Sequence, residues 1–354
     1  MAISGARKLL LVTDSSYPFL TIKDGIAALQ VQKVQFSAFS SNPLYEDICK
    51  GIDLFQSEGC DSLLAVGGGS AIDVAKCIKM AVAGLENVTG TNFFTEQNTL
   101  DCLPLIAIPT TAGTGSESTH NAVMYYRGEK QTLTNDGILP DYALLEPSVL
   151  KTLPLYQKKC TMLDALCQGI ESWWSVNSTE ESVAYAKTAV GMIVAAWRAY
   201  IFDNDGDAAA RIMLAANYAG RAINISATTA AHAMSYKLTS LYGLPHGHAV
   251  AVCLPEIWDY MLGHPQACID HRGPAYLQHV FADIAHALGA AGSREAVLWF
   301  RALLNELDIE NPVPHNRAEE LTILSRSVNP VRLKNNPAMI DQETALELYN
   351  LILS

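Results

Sequence analysis

The sequence predicts two domains of different class, an α/β domain with a mainly parallel sheet and then an all-α domain. Three observations predict this division. Short β-branched runs alternate with helical stretches before residue 150, strand signals nearly vanish after it, and two glycine-rich segments each follow a strand in the first half. Because a residue before proline is pushed out of the helical region, Leu153 and Pro154 predict a boundary between domains at 1–152 and 153–354.

The order of elements follows the same division. In the first half we predict strands at 8–13, 34–39, 62–66 and 103–109, and helices near 44–58, 70–84 and 116–124. Such alternation is typical of a parallel sheet covered by helices. In the second half, amphipathic stretches predict helices at 158–177, 180–203, 206–224, 226–242, 249–262, 274–291, 293–308, 316–327 and 342–353.

Composition excludes several classes of partner. The chain has 354 residues, is 49% apolar and carries a formal net charge of -12, which disfavours binding to nucleic acid or to an anionic membrane. Residues 1–7 hold no apolar signal core, and the apolar stretch 188–202 is interrupted by Arg198 and too short to span a bilayer. Eight cysteines without a CxxC pair indicate reduced thiols. We therefore expect a cytoplasmic protein that acts on a small molecule.

The first glycine-rich segment, 65–76, runs from the end of a strand through Gly67, Gly68 and Gly69 to a helix start at Ser70. Glycine lets the backbone N–H groups approach phosphate oxygens closely, and the helix N-terminus adds positive potential. The alternative is a tight turn after a strand, which also uses glycine.

The second segment, 109–117, follows another strand and offers the hydroxyls of Thr110, Thr111, Thr114 and Ser116 with two glycines. It could instead be an ordinary polar turn with a helix cap. Two such loops on successive strands favour a ligand site, because ligands of open sheets lie at the carboxyl ends of the strands.

Asp14 ends the first strand, where a carboxylate can bind the ribose hydroxyls of a dinucleotide. Its charge would repel a 2′-phosphate, which favours NAD(H) over NADP(H). On the residues alone, a turn aspartate beside Ser15 and Ser16 is an equal alternative.

Metal-capable side chains occur in the helical half. Asp164 and Gln168 share one helix face, with Glu171 a turn further along, and His232 and His246 follow later in the chain. A carboxylate and two imidazoles form a common ligand set for a first-row metal ion. A buried structural histidine and a capping aspartate are the alternative reading of the same residues.

Four motifs in register resemble the iron-containing (group III) alcohol dehydrogenase family: 65–76 in the GGGSxxDxAK form, 109–117 in the PTTxGTGSE form, Asp164-Ala165-Leu166, and His232 followed by Pro245-His246-Gly247. The resemblance implies a dinucleotide-binding α/β domain, a helical metal-binding domain, hydride transfer in a cleft, and a homodimer. It implies cofactor contacts from Gly68, Gly69, Ser70, Asp73, Thr110, Thr111 and Thr114. Asp164, His232 and His246 would then bind Fe²⁺ or Zn²⁺.

The chain departs from the family pattern at three places. Gln168 stands where relatives usually have a histidine ligand, so it would offer only a neutral oxygen. Tyr236 stands where many relatives have a histidine thought to relay a proton; Tyr236, His248 or a water could supply that proton. The family also usually has about two dozen more residues before the strand that ends at Asp14.

Residues around Asp164, His232 and 329–337 look like the branch of the family associated with phosphonate metabolism, which implies phosphonoacetaldehyde as the substrate. Lys237, Arg332 and Lys334 could then bind a dianionic head group. They could also be solvated surface cations. Sulfoacetaldehyde, lactaldehyde or another short aldehyde is an alternative substrate, and an NAD-using cyclase or a non-catalytic nucleotide-binding protein is an alternative of another class.

Overall fold

The computed structural model describes residues 5–82 and 103–353. The chain divides into two compact units, Met1–Leu153 and Pro154–Ser354, which we call the α/β unit and the helical unit. The last two residues of the helix predicted at 70–84 lie outside the described residues. The predicted fold class, a mainly parallel sheet followed by an all-helical region, is confirmed.

The α/β unit contains a five-stranded parallel sheet and a separate hairpin. Seven strands lie in the described part of this unit, in chain order β1 Lys8–Thr13, β2 Gln32–Phe36, β3 Ser62–Gly67, β4 Leu105–Pro109, β5 Asn121–Tyr126, β6 Glu129–Thr134 and β7 Tyr142–Ala143. The sheet order is β2-β1-β3-β4-β7. Thr13 pairs with Val66 and Gly67 with Pro109, so β1, β3 and β4 end at one edge of the sheet. The segments that follow these strands therefore meet there.

Over residues 5–82 and 103–153, this unit has three α-helices, α1 Lys23–Ala27, α2 Tyr45–Ser57 and α3 Gly69–Val82. The aliphatic side chains of the strands are buried, and α3 is buried along most of its length. α2 packs closely on α3, because a Cβ at Gly51 would lie 2.6 Å from the Cδ1 of Ile78. Because α3 begins two residues after β3 ends, its first turn lies at the edge of the sheet where β3 ends.

The helix predicted near 116–124 is wrong. The structure has a single 3₁₀ turn at Ser116–Ser118 and then the β5–β6 hairpin. Arg127 and Gly128 form the two-residue turn, with φ of 52° and 80°, and turns with two positive φ values match the twist of paired strands. The prediction was wrong because this segment is held by pairing between two strands, and a helix-like pattern over a few residues carries no information about that pairing.

The described part of the helical unit contains ten α-helices: α4 Leu155–Trp174, α5 Glu180–Phe202, α6 Gly206–Ser226, α7 Ala230–Tyr242, α8 His246–Gly263, α9 Pro274–Ala287, α10 Ser293–Glu306, α11 Arg317–Ser327, α12 Pro330–Leu333 and α13 Gln342–Ile352. Nine of them confirm the predicted helices, with ends shifted by a few residues, and the short α12 was not predicted. α4 is central, since it contacts α5, α6, α8 and α9.

Among the described residues, every helix is too short or too polar to cross a bilayer.

Candidate metal centre and cofactor loops

The candidate metal ligands come together inside the helical unit. Asp164 lies in the middle of α4, His232 in the first turn of α7, and His246 begins α8. Their ligand atoms all lie within 4.8 Å of one another. The Oδ1 of Asp164 is 3.3 Å from the Nε2 of His232 and 4.0 Å from the Nε2 of His246. One carboxylate and two imidazole nitrogens converge, as a site for a divalent first-row ion requires.

Gly247 explains how α8 approaches α4 so closely. A Cβ at this position would lie 2.0 Å from the carbonyl oxygen of Cys160 and 2.9 Å from the Cβ of Asp164. Only glycine fits in that space. The Pro245-His246-Gly247 sequence therefore begins a helix and also brings His246 against the helix that carries Asp164.

Gln168 lies one turn after Asp164 on α4, and its side chain is almost fully buried. Its predicted role as a weak fourth ligand stays a prediction. The three convergent ligand residues fit a metal ion without it, since three protein ligands leave a position for a substrate oxygen.

Glu171 contacts a candidate metal ligand, and the sequence did not reveal this contact. It lies two turns after Asp164 on α4, is fully buried, and places its Oε2 against the Nδ1 of His232. Burial alone would lower the pKa of His232, but the nearby carboxylates of Glu171 and Asp164 outweigh it and raise this pKa to about 9. The spacing from Asp164 was the available signal, because residues seven apart share a helix face.

Tyr236 connects the metal centre to a cation. Its ring is parallel to that of His246, with centroids 5.7 Å apart and an interplanar angle of 7°. The Nη1 of Arg332 donates a hydrogen bond of 2.9 Å to its hydroxyl, and the guanidinium lies 5.0 Å from its ring centroid. The structure thus brings Tyr236, which was predicted from the sequence, against the candidate ligand His246. It also brings Arg332, likewise predicted, against Tyr236.

The segment that carries Arg332 is anchored from both sides. Asn335 accepts a hydrogen bond from the Nδ2 of Asn177, donates through its own Nδ2 to the carbonyl of Thr228, and receives the N–H of Val176 on its carbonyl. α12 also contacts α7. The other two predicted substrate cations differ in exposure, since Lys237 is half-buried and Lys334 is exposed.

His248 is engaged through both ring nitrogens. The carbonyl of Glu310 lies 2.7 Å from Nε2 and can only accept, so Nε2 carries the proton and Nδ1 accepts from the hydroxyl of Tyr156, also at 2.7 Å. Burial lowers the pKa of His248, which keeps the ring neutral. This arrangement joins α4 to the segment after α10.

In the α/β unit, the first glycine loop packs against Asp14. The N–H of Gly68 donates to the Oδ2 of Asp14 at 2.7 Å, and Ser16 donates to its Oδ1. A Cβ at Gly67 would lie 2.6 Å from the same Oδ2. Glycine at 67 therefore permits the carboxylate to lie beside the loop.

The two glycine loops are in contact. A Cβ at Gly69 would lie 2.8 Å from the hydroxyl of Thr114, one at Gly68 would lie 3.5 Å from Thr111, and the N–H of Thr110 donates to the carbonyl of Gly67. The sequence predicted both loops at strand ends, and the structure brings them side by side at the start of α3. The first N–H groups of a helix have no partner within it, so this junction suits a phosphate.

Asp73 and Lys76 lie behind these loops. The carboxylate of Asp73 accepts from the hydroxyl of Ser116 at 2.5 Å and the N–H of Val123 at 3.0 Å. The Nζ of Lys76 donates to Ser116, Thr119 and the carbonyl of Asn121. Burial raises the pKa of Asp73 and lowers that of Lys76 to about 8. Together they hold the second loop from its buried side.

Ser70 lies within the first turn of α3, and its hydroxyl donates to the carbonyl of Ser41 at 2.5 Å. The side chain thus connects the first turn of α3 to the loop before α2.

Comparisons with known proteins match both units. The model of the iron-containing alcohol dehydrogenase family matches residues 1–147, and that of the C-terminal part of the Fe-containing alcohol dehydrogenase family matches residues 159–353. The chain is 32% identical over 295 residues to the phosphonoacetaldehyde reductase of Streptomyces viridochromogenes, covering 80% of this chain and 74% of that protein. It is 33% identical over 358 residues to the probable alcohol dehydrogenase EutG of Escherichia coli, covering 98% and 87%.

Solved structures show the same similarity. The iron-containing alcohol dehydrogenase of Thermococcus thioreducens aligns with a TM-score of 0.87 at 25% identity, over 99% of this chain and 93% of that one. The sulfoacetaldehyde reductase of Bifidobacterium kashiwanohense, solved in complex with NAD⁺, aligns with a TM-score of 0.86 at 25% identity, over 99% and 92%. With both family models matched along nearly the whole chain, the resemblance inferred from the four motifs is confirmed, and the protein belongs to the iron-containing alcohol dehydrogenase family as an alcohol dehydrogenase or aldehyde reductase.

Proposed function

We propose that the protein is a metal-dependent, NAD(H)-linked reductase of a short anionic aldehyde, with phosphonoacetaldehyde as its substrate and 2-hydroxyethylphosphonate as its product. One observation carries the choice of an anionic substrate. The guanidinium of Arg332 is held at the hydroxyl of Tyr236, whose ring stacks on His246. A fixed cation beside a candidate metal ligand suits a small substrate with an aldehyde at one end and a phosphonate at the other.

Asp164, His232 and His246 would hold Fe²⁺ or Zn²⁺, with Gln168 as a weak fourth contact. A divalent ion bound there supplies a Lewis acid that stabilises charge on the substrate oxygen during hydride transfer. The buried position of Asp164 and His232 excludes water from two of the ligand residues and strengthens their electrostatic interactions. The remaining task of the helical unit is to orient the aldehyde with the charged and hydroxyl side chains beside the candidate ligands.

The glycine loops would hold the cofactor. We assign the pyrophosphate to the junction formed by Gly67, Gly68, Gly69 and Ser70, with the hydroxyls of Thr110, Thr111 and Thr114 beside it. Asp14 would accept from the ribose hydroxyls, which favours NAD(H). The partners of Asp73 support a more specific role, in which Asp73 acts through Ser116 to hold the second loop.

The product alcohol needs a proton, and we assign its delivery to Tyr236. The hydroxyl of Tyr236 accepts from Arg332 and keeps its own proton to donate. His248 is the weaker candidate, because its two nitrogens are engaged by Tyr156 and the carbonyl of Glu310. We therefore propose a positioning role for His248 within the helical unit.

The test compares phosphonoacetaldehyde with propionaldehyde, an uncharged aldehyde of similar chain length, by following NADH consumption after reconstitution with Fe²⁺ or Zn²⁺. We expect a clear preference for the phosphonate. Sulfoacetaldehyde is the third substrate, because it shows whether a monoanionic head group suffices. A preference for propionaldehyde would overturn the anionic assignment and leave a general short-chain dehydrogenase.

Arg332→Met tests the residue that carries the assignment. Losing a charge-assisted hydrogen bond should lower kcat/KM for phosphonoacetaldehyde by about 10- to 100-fold, with a smaller effect on propionaldehyde. Arg326→Met, at an exposed arginine of α11, is the control for net charge, and Lys334→Met asks whether the exposed cation contributes. Equal losses for both aldehydes in Arg332→Met would show that Arg332 acts through Tyr236 and not on the head group.

A further inference from the structure

Glu171 lies where α4 meets the first turn of α7, and its two carboxylate oxygens face different groups. Oε1 accepts from the N–H groups of Thr229, Ala231 and His232 at 3.1, 2.9 and 3.3 Å, and from the hydroxyl of Thr229 at 2.8 Å. Oε2 faces the Nδ1 of His232. One fully buried carboxylate thus contacts both the end of a helix and the ring of a candidate metal ligand.

The cap of α7 comes from another helix. Thr229 is the N-cap residue, but its side chain makes no cap hydrogen bond. The first N–H groups of a helix lack partners within it, and the positive end of the helix dipole favours an anion. Glu171 satisfies both conditions from α4. The hydroxyl of Thr229, which donates to Glu171, is itself held by Trp174, whose indole N–H donates to it at 2.9 Å.

The contact with Glu171 decides how His232 presents its ring. A carboxylate only accepts, so Nδ1 of His232 donates to it and carries a proton. Nε2 then faces the Oδ1 of Asp164, 3.3 Å away. A ring nitrogen binds a metal ion through its lone pair, so a neutral His232 is ready to bind only when its proton is on Nδ1.

We propose that Glu171 is a positioning residue that holds His232 as the Nδ1–H tautomer, with Nε2 directed to the metal ion, while it caps α7. The inference rests on the proposed function in one respect, since it takes His232 as a metal ligand. It adds that the capping of α7 and the orientation of His232 depend on the same carboxylate. A substitution that disturbs the capping of α7 should therefore also disturb the orientation of His232, and the reverse should hold.

Glu171→Gln is the decisive variant because it keeps the shape of the side chain, removes the charge and replaces one acceptor oxygen by an NH₂ donor. If the amide oxygen stays on the N–H groups of α7, the NH₂ faces Nδ1 of His232, which must accept, and the ring proton moves to Nε2. If the amide is turned, the NH₂ faces four donors and the cap is lost. A glutamine cannot satisfy both sets of partners.

The experiment titrates Zn²⁺ into the full chain after EDTA treatment, in competition with a chromophoric chelator. We expect Glu171→Gln to raise the Kd for Zn²⁺ by about 10- to 100-fold, the usual effect of losing a carboxylate partner of a metal-binding histidine. Urea unfolding of the metal-free variant is measured in parallel. Wild-type affinity together with wild-type unfolding would overturn the proposal.

Glu320→Gln is the matched control. Glu320 is also buried, and it caps the start of α11 by accepting from the N–H groups of His315 and Asn316 and from the hydroxyl of Tyr242. Its loss of charge should leave the Kd for Zn²⁺ unchanged. An equal weakening in both variants would attribute the effect to general loosening of the helical unit and overturn the specific role of Glu171.

Histidine-selective ¹⁵N NMR separates this proposal from the proposed function. In the Zn²⁺-loaded wild type, we expect Nδ1 of His232 to carry a proton and Nε2 to show the shift of a metal-bound nitrogen. If the wild type binds no Zn²⁺, the metal site fails, but the metal-free protein at a pH above the pKa of His232 still reports the tautomer. A proton on Nε2 there would contradict the role of Glu171.

Discussion

At the scale of single residues, the candidate metal centre depends on a residue without a side chain, Gly247, as well as on the ligand residues. Gly247 has no Cβ, and this lets the first turn of α8 lie against the backbone of α4 at Cys160. The His246 ring, one residue earlier, reaches Asp164 for that reason. The sequence shows a glycine after a candidate ligand, but it does not show that Gly247 lies against Cys160, which is 87 positions earlier in the chain.

Gly247→Ala should weaken Zn²⁺ binding, because the new methyl group must push α8 away from α4 and His246 away from Asp164. The competition titration with a chromophoric chelator measures this. Gly191→Ala is the matched control, since Gly191 lies inside α5 and a Cβ there meets nothing within 4 Å. That control should gain about 1 kcal/mol in unfolding free energy from helix propensity, with unchanged affinity. Unchanged affinity in Gly247→Ala would contradict the close approach.

At the scale of elements, side chains join helix ends that are far apart in sequence. Arg272, before α9, donates to both oxygens of Asp270 and to the carbonyls of Ser175 and Ser178 after α4, with its guanidinium 4.2 Å from the ring centroid of Tyr276. Asp270 is buried. Burial would raise the pKa of Asp270, but the hydrogen bonds and charge of Arg272 outweigh it, so the pKa lies below its usual value.

Arg272→Met should therefore destabilise the helical unit by about 3 kcal/mol at neutral pH, because it leaves a buried carboxylate without its cation. The sign with pH follows from the lowered pKa of Asp270. Its contribution is complete above the ordinary aspartate pKa and is lost as the pH falls through the folded-state value, so the difference between the variant and the wild type should shrink in acid. Urea unfolding at neutral and acid pH measures this. A difference that stays constant with pH would contradict the assignment to the pair.

At the scale of the whole molecule, the two units can be observed separately. All five tryptophans belong to the helical unit, at Trp173, Trp174, Trp197, Trp258 and Trp299. Trp174 and Trp258 pack with rings at 70° and centroids 5.4 Å apart in its core. Tryptophan fluorescence therefore reports the unfolding of the unit that contains the candidate metal ligands.

Removal of the metal ion should lower the unfolding midpoint of that fluorescence signal. A ligand that binds only the folded state at 100 times its Kd adds about 2.7 kcal/mol, so Zn²⁺ at this excess should restore the midpoint. Asp164→Asn is the control variant, because it lacks the central carboxylate and should show no Zn²⁺-dependent shift. An equal shift in this variant would show that Zn²⁺ binds elsewhere.

Prediction from the sequence worked best for long periodic segments. Helices such as α5 and α6 have apolar positions that repeat along more than five turns, and their predicted ends agree with the structure within two residues. The hairpin of β5 and β6 was missed because its strands are only partly buried and lack the continuous apolar runs of β1 and β3, so their stability comes from the partner strand. The short α12 has too few residues for any periodicity.

The sequence by itself determined the fold class and, through four motifs in register, the family with its candidate metal ligands, because these depend on local periodicity and on residue types at motif positions. That the candidate ligands converge was decided by the tertiary structure. Only the tertiary structure decided which side chains lie against those ligands. Glu171 and His232 are 61 positions apart, and Tyr236 and Arg332 are 96 apart. Contacts over such separations arise from the packing of α4, α7 and α12, and local sequence patterns carry no information about that packing.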